Sequence, residues 1–232
     1  MHQLILKYQP SVKCSVNPMR VLAVVPVKGF YVSKKRLSNV LSPEKRKELT
    51  AAMLRDVLGA LEWSSVREVL VVSPDSAVKK IADEHGFSFL VPRDAGLNAS
   101  LREAIEYAVQ KRVDAVLILP VDVPLVSPHD ADKLVELGSE PSTVVLSGSL
   151  DGGTNALFLH PADVIPICFG KGSFYRHIEE ALERDVKLQF YFSKEIMLDI
   201  DSGDDLNKLL EVKGAESKQV FKQLKPLKEV GR

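Results

Sequence analysis

The sequence predicts a three-layer α/β fold, with helices on both faces of a mainly parallel central sheet. Short valine-rich apolar runs at 20–27, 66–73 and 114–119 are typical of strands that are covered on both faces. Helical patterns separate these runs. Strands that alternate with helices imply right-handed crossovers, and such crossovers pair the strands in parallel.

The helices of the first half have recognisable ends. Ser42 before Pro43 combines an N-cap residue with a proline at the first helical position, and Ser127 before Pro128 repeats this signature. Gly86 closes another helical pattern, as a C-terminal glycine does. Four helices are therefore expected, over about 42–61, 75–85 and 98–112 and from 127 onward.

The second half changes character after about residue 138. Strands are expected at 143–146, 155–160 and 187–192, with a helix at 173–184 between the second and the third. The last clear helix begins at Ser202, where Asp205 makes a near-capping box. We expect an appendage at 1–18, a single domain at 19–214 and a mobile or peripheral polar tail at 215–232.

Composition argues for an ordinary soluble protein in the cytoplasm. Lys plus Arg and Asp plus Glu number 31 each, so no global field indicates nucleic acid or an anionic membrane as a partner. No apolar run approaches the roughly 18 residues of a membrane span. Cys14 and Cys168 lie far apart, which predicts neither a disulfide framework nor a thiolate zinc site.

A basic loop follows the first strand. It contains Lys28 and Gly29 and continues through Lys34 and Arg36, so side-chain cations and backbone amides could hold a polyphosphate. The loop matches neither GxGxxG nor GxxxxGK[ST], which disfavours a dinucleotide fold or a P-loop NTPase. A solvated basic surface loop is the alternative.

Aspartates follow buried or extended segments at two places. Asp122 stands directly after an apolar strand, between Pro120 and Pro124, and a divalent metal would explain a carboxylate in that position. Asp199 and Asp201 are two residues apart on an extended stretch, so both could point to one face and complete the site. The alternatives are a turn cap for Asp122 and a helix cap for Asp201.

Three further segments combine glycine with hydroxyl or amide side chains. They are 93–101, which contains Gly96 and Asn98; 151–155, which contains Thr154; and 169–174, which contains Gly170 and Ser173. The last opens a helix, whose N-terminus can receive an anion. Ordinary turns, and a plain helix cap at Asn98, remain open for all three.

Together these segments resemble the 2-phospho-L-lactate guanylyltransferase family of coenzyme F420 biosynthesis, which has a Rossmann-like three-layer nucleotidyltransferase fold. The similarity runs in order from about Met19 to about Leu210. It is carried by VPVK followed by SKKRLS, then GLNASL, LPVDVPL, DGGTNAL, FGKGSF and LDIDSGDDL. The appendage and the tail are departures that the family pattern does not explain.

The resemblance implies GTP, Mg²⁺ and an acceptor that is 2-phospholactate or a close relative such as phosphoenolpyruvate. It implies roles for eleven residues: Lys28 and Asp122 in catalysis; Lys28, Lys34, Arg36, Gly96 and Asn98 at the nucleotide; Thr154, Gly170 and Ser173 at the acceptor; and Asp122, Asp201 and, in reserve, Asp199 at the metal. Whether the chain forms a homodimer stays open.

Two other functions compete with this one. The same chemistry could act on a molybdopterin or a sugar phosphate, or the protein could bind a nucleotide without catalysis. Retention of Lys28, Asp122 and Asp201 together argues against a degenerate binder. A sugar-transferring relative would more often have a D-x-D pair after the central strand, where this chain has Pro124.

Overall fold

A computed structural model describes residues 19–30, 34–212, 214–215 and 218–230; the expected appendage at 1–18 lies outside them. The described part contains seven strands. They are β1 (Val21–Pro26), β2 (Glu68–Val72), β3 (Ser88–Leu90), β4 (Ala115–Ile118), β5 (Thr143–Gly148), β6 (Thr154–His160) and β7 (Lys187–Phe190). Each expected strand is confirmed, while the short strand β3 was not anticipated.

The strands form one sheet in the order β3-β2-β1-β4-β6-β5-β7. β1 pairs in parallel with β2 and β4, β2 with β3, and β5 with β7, whereas β6 is antiparallel to both of its neighbours. The prediction of a mainly parallel sheet is therefore confirmed. The direction of chain progression reverses between β1 and β4, and open α/β sheets bind ligands at such a point.

Eight α-helices accompany the sheet in the described part of the chain. They are α1 (Pro43–Glu62), α2 (Ser76–Glu84), α3 (Leu97–Gln110), α4 (Pro128–Leu137), α5 (Ser173–Glu183), α6 (Lys194–Met197), α7 (Gly203–Glu211) and α8 (Gln219–Val230). The expected caps are present, because the Ser42, Ser127 and Ser202 side chains each accept a backbone N–H. None of these helices is long and apolar enough to cross a membrane.

The core has two parts, one on each face of the sheet. On one face, helices α1, α2, α4 and α7 pack against alternate strand residues. On the other face, α3 and α5 cover the remaining strand residues. This division follows from the pleat, since successive side chains of a strand point to opposite faces.

The end of the chain differs from the expected mobile or peripheral tail. Helix α8 packs on α1 and buries Val220 and Leu224 in the core. Both carboxylate oxygens of Asp56 on α1 accept backbone N–H groups from the start of α8, at 2.8 Å each. Val220 and Leu224, four residues apart, anchor this helix to the core, and the lysine and glutamine residues between its apolar positions are why composition alone suggested a tail.

Candidate active site

The sheet places the basic loop and Asp122 at the same edge. β1 and β4 are parallel neighbours, so the loops that follow Pro26 and Ile118 leave from their carboxyl ends side by side. The pairing extends past the strands, because Leu119 N–H donates to the Val24 carbonyl. Lys28 and Asp122 therefore follow neighbouring strands at the same edge of the sheet.

A backbone hydrogen bond joins the segment 199–201 to Asp122. The N–H of Ile200 donates to the Asp122 carbonyl oxygen at 2.9 Å, and the Ser202–Asp205 capping box holds the start of α7 directly behind it. The Asp201 N–H also donates to the Asp205 carboxylate, at 3.2 Å. Asp205 thus has the structural role expected of it, and Asp201 is free to face Asp122.

Lys34 shows that these two carboxylates converge on one point. Its Nζ lies 2.5 Å from Asp122 Oδ1 and 2.9 Å from Asp201 Oδ1. The Lys34 side chain is only 3% exposed, and burial lowers its pKa, but the two carboxylates outweigh burial and the net pKa shift is upward. The site therefore holds a buried, charged ammonium between two aspartates.

Lys34 and Arg36, both expected at the triphosphate, have different surroundings: Lys34 is buried and Arg36 is exposed. Lys34 is engaged with Asp122 and Asp201 and adopts a left-handed backbone conformation, with φ of 56°. That conformation costs a non-glycine residue about 1 kcal/mol, which the two ion pairs can offset. Arg36 extends outward, with its side chain 75% exposed and Nη1 3.8 Å from Asp201 Oδ2.

Asp199 does not share the ammonium with Asp201. It is half-buried and contacts Asn155, whose side-chain amide also donates to the Ile196 carbonyl at 2.8 Å. Burial raises the pKa of the Asp199 carboxyl, and the nearby charge of Asp201 adds to the rise. The sequence predicted that Asp199 and Asp201 could point to one face, but their partners differ: Asp201 pairs with the Lys34 ammonium, and Asp199 contacts Asn155.

A pocket of about 400 Å³ opens beside the basic loop. Gly96, at the N-cap of α3 with φ of 108°, lies on its wall, as does Lys28. The lining residues come from the end of β1, the end of β2 and the loop before α3: Pro26, Val27, Lys28, Gly29, Val72, Pro74, Pro92, Arg93, Asp94, Ala95, Gly96, Leu97 and Ser100. Two residues expected at the nucleotide therefore meet at one cavity.

Asn98 has a different contact from the one expected. Its Nδ2 donates to the Phe169 carbonyl at 3.0 Å, and its Oδ1 accepts the Phe169 N–H at 2.8 Å. The amide thus imitates a backbone pairing partner and ties α3 to the glycine-rich loop at 169–174. Among the described residues, the pocket lining includes Gly96 but not Asn98. The side-chain nitrogen and oxygen of Asn98 each make one hydrogen bond to Phe169, and the role of Asn98 as a reader of the base stays a prediction.

The expected acceptor residues Thr154 and Ser173 do lie together. Ser173 Oγ donates to Thr154 Oγ1 at 3.0 Å, where β6 begins beside the N-terminus of α5. Gly170 and Gly172, with φ of 124° and 70°, turn the chain into that helix in a conformation that a side chain would oppose. The first two backbone N–H groups of α5 already donate to the carbonyls of Gly170 and Gly152. The polar groups that distinguish this place are therefore the two hydroxyls of Thr154 and Ser173.

His177, which was not among the predicted site residues, joins this hydroxyl pair. Its Nδ1 lies 3.0 Å from Thr154 Oγ1, and its Nε2 accepts the Cys168 N–H at 3.2 Å. The spacing of four residues between Ser173 and His177 puts both on one face of α5, and that spacing was the available signal.

Comparison with known proteins identifies the family of this chain. The family model described as "Guanylyl transferase CofC like" matches residues 19–228. A phosphoenolpyruvate guanylyltransferase of Rubrobacter xylanophilus is 42% identical over 192 residues, covering 82% of this chain and 94% of that protein. A 2-phospho-L-lactate guanylyltransferase of Methanothermobacter thermautotrophicus is 35% identical over 209 residues, covering 89% and 92%.

The fold has solved counterparts. A structure from Desulfovibrio desulfuricans G20, described as a nucleotide-diphospho-sugar transferase, aligns with a TM-score of 0.76 at 16% identity, covering 91% of this chain and 96% of that one. At that identity the likeness concerns the fold alone, and the expected nucleotidyltransferase fold is confirmed. Because the family match extends through nearly all of the described chain, this protein belongs to the CofC-like guanylyl transferase family and is a nucleotidyltransferase.

Proposed function

We propose that this chain transfers a guanylyl group from GTP to a small phosphorylated carboxylic acid, 2-phospho-L-lactate or phosphoenolpyruvate, and releases pyrophosphate. The names of the relatives support this acceptor class. The observation that carries the proposal is the convergence of Asp122 and Asp201 on one cationic group beside a pocket of about 400 Å³. A place in coenzyme F420 biosynthesis and a cytoplasmic location are parts of the same proposal.

Mg²⁺ is the metal ion we propose for Asp122 and Asp201. The two carboxylates already share one cation, the Lys34 ammonium, so their oxygens point to a common position. Within the described part of the chain, no group of three or more His, Cys, Asp or Glu side chains could hold a metal ion. This donor set suits Mg²⁺, which is typically held by one or two carboxylates plus substrate phosphates. Asp199 remains the reserve ligand.

The acceptor can act as the nucleophile without a general base. A phosphate monoester has a second pKa of about 6, so the acceptor is mostly a dianion at neutral pH. One of its phosphate oxygens attacks the α-phosphorus of GTP. The bond from that phosphorus to the bridging oxygen of the β-phosphate breaks, and the electron pair leaves with pyrophosphate. The absence of a His–carboxylate pair from the proposed roles is consistent with this chemistry.

The remaining task of the site is to bring two anions together. A bound magnesium ion would neutralise phosphate charge. Lys28 beside the pocket and Arg36 at its exposed position add cationic side chains toward a triphosphate. Fixed geometry supplies the entropic part of the rate enhancement, because both reactants are held in line. Gly96 is the position we propose for approach of the guanine base.

The acceptor is proposed to bind at Thr154, Gly170 and Ser173. The hydroxyl groups of Thr154 and Ser173 lie together, and Gly170 lets the backbone approach an anion closely. None of these three residues is among the described residues that line the pocket beside the basic loop. The two anionic groups of the acceptor are recognised there, while the carbon skeleton between them is not specified by these contacts.

The test is pyrophosphate release from GTP over a panel of phosphorylated acids with Mg²⁺ present. We expect turnover with 2-phospho-L-lactate or phosphoenolpyruvate, and none with either acid for Asp122→Asn. Turnover only with a molybdopterin or a sugar phosphate would assign the chemistry to another acceptor. Tight GTP binding without turnover on any member of the panel would make the protein a non-catalytic nucleotide binder.

A further inference from the structure

The interior of the proposed acceptor site contains a buried histidine that the mechanism above does not use. His177 is 0% exposed, and the two hydroxyl residues next to it, Thr154 and Ser173, are 5% and 1% exposed. The Phe169 ring meets the imidazole edge-on, with ring centroids 5.2 Å apart. These polar side chains therefore have to satisfy one another or a ligand.

The hydrogen-bond partners determine which nitrogen of His177 carries the proton. The Cys168 backbone N–H can only donate, and it points at Nε2 from 3.2 Å, so Nε2 must accept. Burial, followed by the charge of Arg176, lowers the pKa of His177 to about 4, so the ring is neutral at pH 7. A neutral imidazole that accepts at Nε2 has its proton on Nδ1. That N–H therefore donates to Thr154 Oγ1, 3.0 Å away.

Counting hydrogens gives the consequence for the two hydroxyls. A hydroxyl has one hydrogen and two lone pairs. His177 occupies one lone pair of Thr154, and the 3.0 Å bond between Thr154 and Ser173 uses one of the two hydroxyl hydrogens. Whichever hydroxyl donates within the pair, the other O–H is directed away from it. The pair thus offers one hydrogen-bond donor to a third group.

The opposite tautomer would reverse this polarity. With the proton on Nε2, Nδ1 would accept the Thr154 O–H, and Ser173 would donate to Thr154. Both hydroxyl hydrogens would then be consumed inside the network. The pair would present only lone pairs, which repel a carboxylate or a phosphate.

We propose that His177 is a positioning residue that orients the Thr154–Ser173 hydroxyl pair as a donor to the anionic acceptor. The proposal rests on the proposed function for the identity of that acceptor. His177 acts through Thr154 and does not contact the substrate itself. The Cys168 N–H is the group that selects the tautomer.

The residue that follows Cys168 is held by Asn98 at the start of α3. Phe169, the residue after Cys168, has both of its backbone polar groups bonded to Asn98 on α3. Helix α3 begins at the pocket wall, directly after Gly96. The covalent link between Cys168 and Phe169 therefore connects the Asn98 hydrogen bonds on α3 to His177 and the hydroxyl pair.

The closing experiment compares two variants of the same size, His177→Asn and His177→Asp, in the full-length enzyme. The Asn amide can donate to Thr154 as Nδ1–H does, whereas an Asp carboxylate can only accept and so imitates the wrong tautomer. We expect His177→Asn to retain an acceptor KM near that of the wild type. We expect His177→Asp to raise the acceptor KM by about tenfold or more, the cost of losing a hydrogen bond to a charged group, with the GTP KM little changed.

A second readout is independent of activity. Nitrogen-15 NMR of the histidine side chains, with the His177 signals identified by their loss in His177→Asn, should show an Nδ1–H tautomer at pH 7. An Nε2–H tautomer would overturn the proposal. Equal acceptor KM values for the Asn and Asp variants, or an equal rise in the GTP KM, would overturn it as well.

Two controls keep the outcomes separate. Circular dichroism and thermal unfolding establish that each variant is folded; if His177→Asp is not, Thr154→Val takes its place, with the same expected rise in acceptor KM. Wild-type turnover on the acid panel is measured first. Its absence would refute the proposed function and the acceptor role of His177 together, whereas turnover with equal variants would refute the role of His177 alone.

Discussion

The two halves of the site are held together by different interactions, ion pairs in one and neutral hydrogen bonds in the other. Around Lys34, Asp122 and Asp201 the contacts are ionic, and the two carboxylates are more than one-third exposed. Around Thr154 and His177 the contacts are neutral hydrogen bonds between buried groups. Ion pairs depend on charge more than on direction, so the two carboxylates can exchange the Lys34 ammonium for another cation. Neutral contacts in a buried network are directional, so they suit recognition.

The largest expected effect is on the ionic half, from Asp122→Asn. The substitution removes a ligand charge and little volume, so we expect turnover to fall by about 1000-fold or more while the fold is retained. Pyrophosphate release with Mg²⁺ measures the loss. Asp204→Asn, in the exposed first turn of α7, is the matched control and should keep normal activity. Near-normal turnover of Asp122→Asn would show that this residue is not a metal ligand.

The neutral half should respond to acid. The pKa of His177 is about 4 in the folded protein, whereas the ordinary pKa of a histidine side chain is 6.5. Between these two values the unfolded state therefore binds more protons than the folded state. This contribution to stability is fully present above pH 6.5 and is lost as pH falls through 4, amounting to about 3 kcal/mol at most. In His177→Asn, the free energy of unfolding should fall less steeply over that window than in the wild type.

Urea unfolding at several pH values between 4 and 7 measures these slopes. His129→Asn, at an exposed position of α4, is the matched control and should follow the wild type. Identical slopes for all three proteins would mean that the pKa of His177 in the native state equals its value in the unfolded state. The contrast between an ionic and a neutral half would then fail.

Lys34→Met tests whether the Lys34 ammonium competes with a divalent cation in the ionic half of the site. The Lys34 ammonium occupies the point at which Asp122 and Asp201 converge, so it competes with a divalent cation for the same oxygens. Removing it should tighten Mn²⁺ binding, measured without nucleotide by calorimetry, by about tenfold. Arg36→Met is the control, because that side chain is exposed and 3.8 Å from Asp201. Weaker Mn²⁺ binding in Lys34→Met would instead make Lys34 a support for the metal site.

Thr154→Val and Ser173→Ala test whether the neutral half belongs to the acceptor. Each removes one hydroxyl of the pair, and we expect the acceptor KM to rise by about tenfold while the GTP KM changes little. Steady-state kinetics with each substrate varied in turn separates the two values. If both variants weakened GTP and spared the acceptor, the two halves would have exchanged substrates.

Asn98→Ala gives the smallest expected effect and tests the link between the halves. The substitution releases Phe169 and with it the loop that precedes α5, so the acceptor KM should rise by about threefold to tenfold, more than the GTP KM. The ratio of kcat/KM for GTP and ATP should stay as in the wild type. A selective loss of GTP over ATP would return Asn98 to the role of base reader that the sequence suggested.

Most of the fold was predictable because local signals agreed with the tertiary structure. Apolar runs became strands within a residue or two, and the serine caps began α1, α4 and α7. The exceptions were weak local signals. β3 has three residues, and α8 is held by two buried side chains and by Asp56, which lies 163 residues away from Gln219.

The candidate site divides in the same way. That the basic loop and Asp122 each come directly after a strand followed from sequence alone, whereas the parallel pairing of β1 with β4 that puts them side by side did not. The partner of Asn98 did not follow, since Phe169 is 71 residues distant and an amide can equally face a base or a peptide group. His177 was missed for a related reason, since its partners come from two other segments of the chain.

The sequence by itself determined which chemical groups this protein has and at which strand and helix ends they stand, because strand periodicity and capping are local properties. Only the tertiary structure decided which groups meet: Lys34 with Asp122 and Asp201, and His177 with Thr154. The reason is physical. Charge and hydrogen-bonding capacity belong to a side chain, but the pKa of Lys34, the tautomer of His177 and the convergence of two carboxylates depend on neighbours that the chain brings together only by folding.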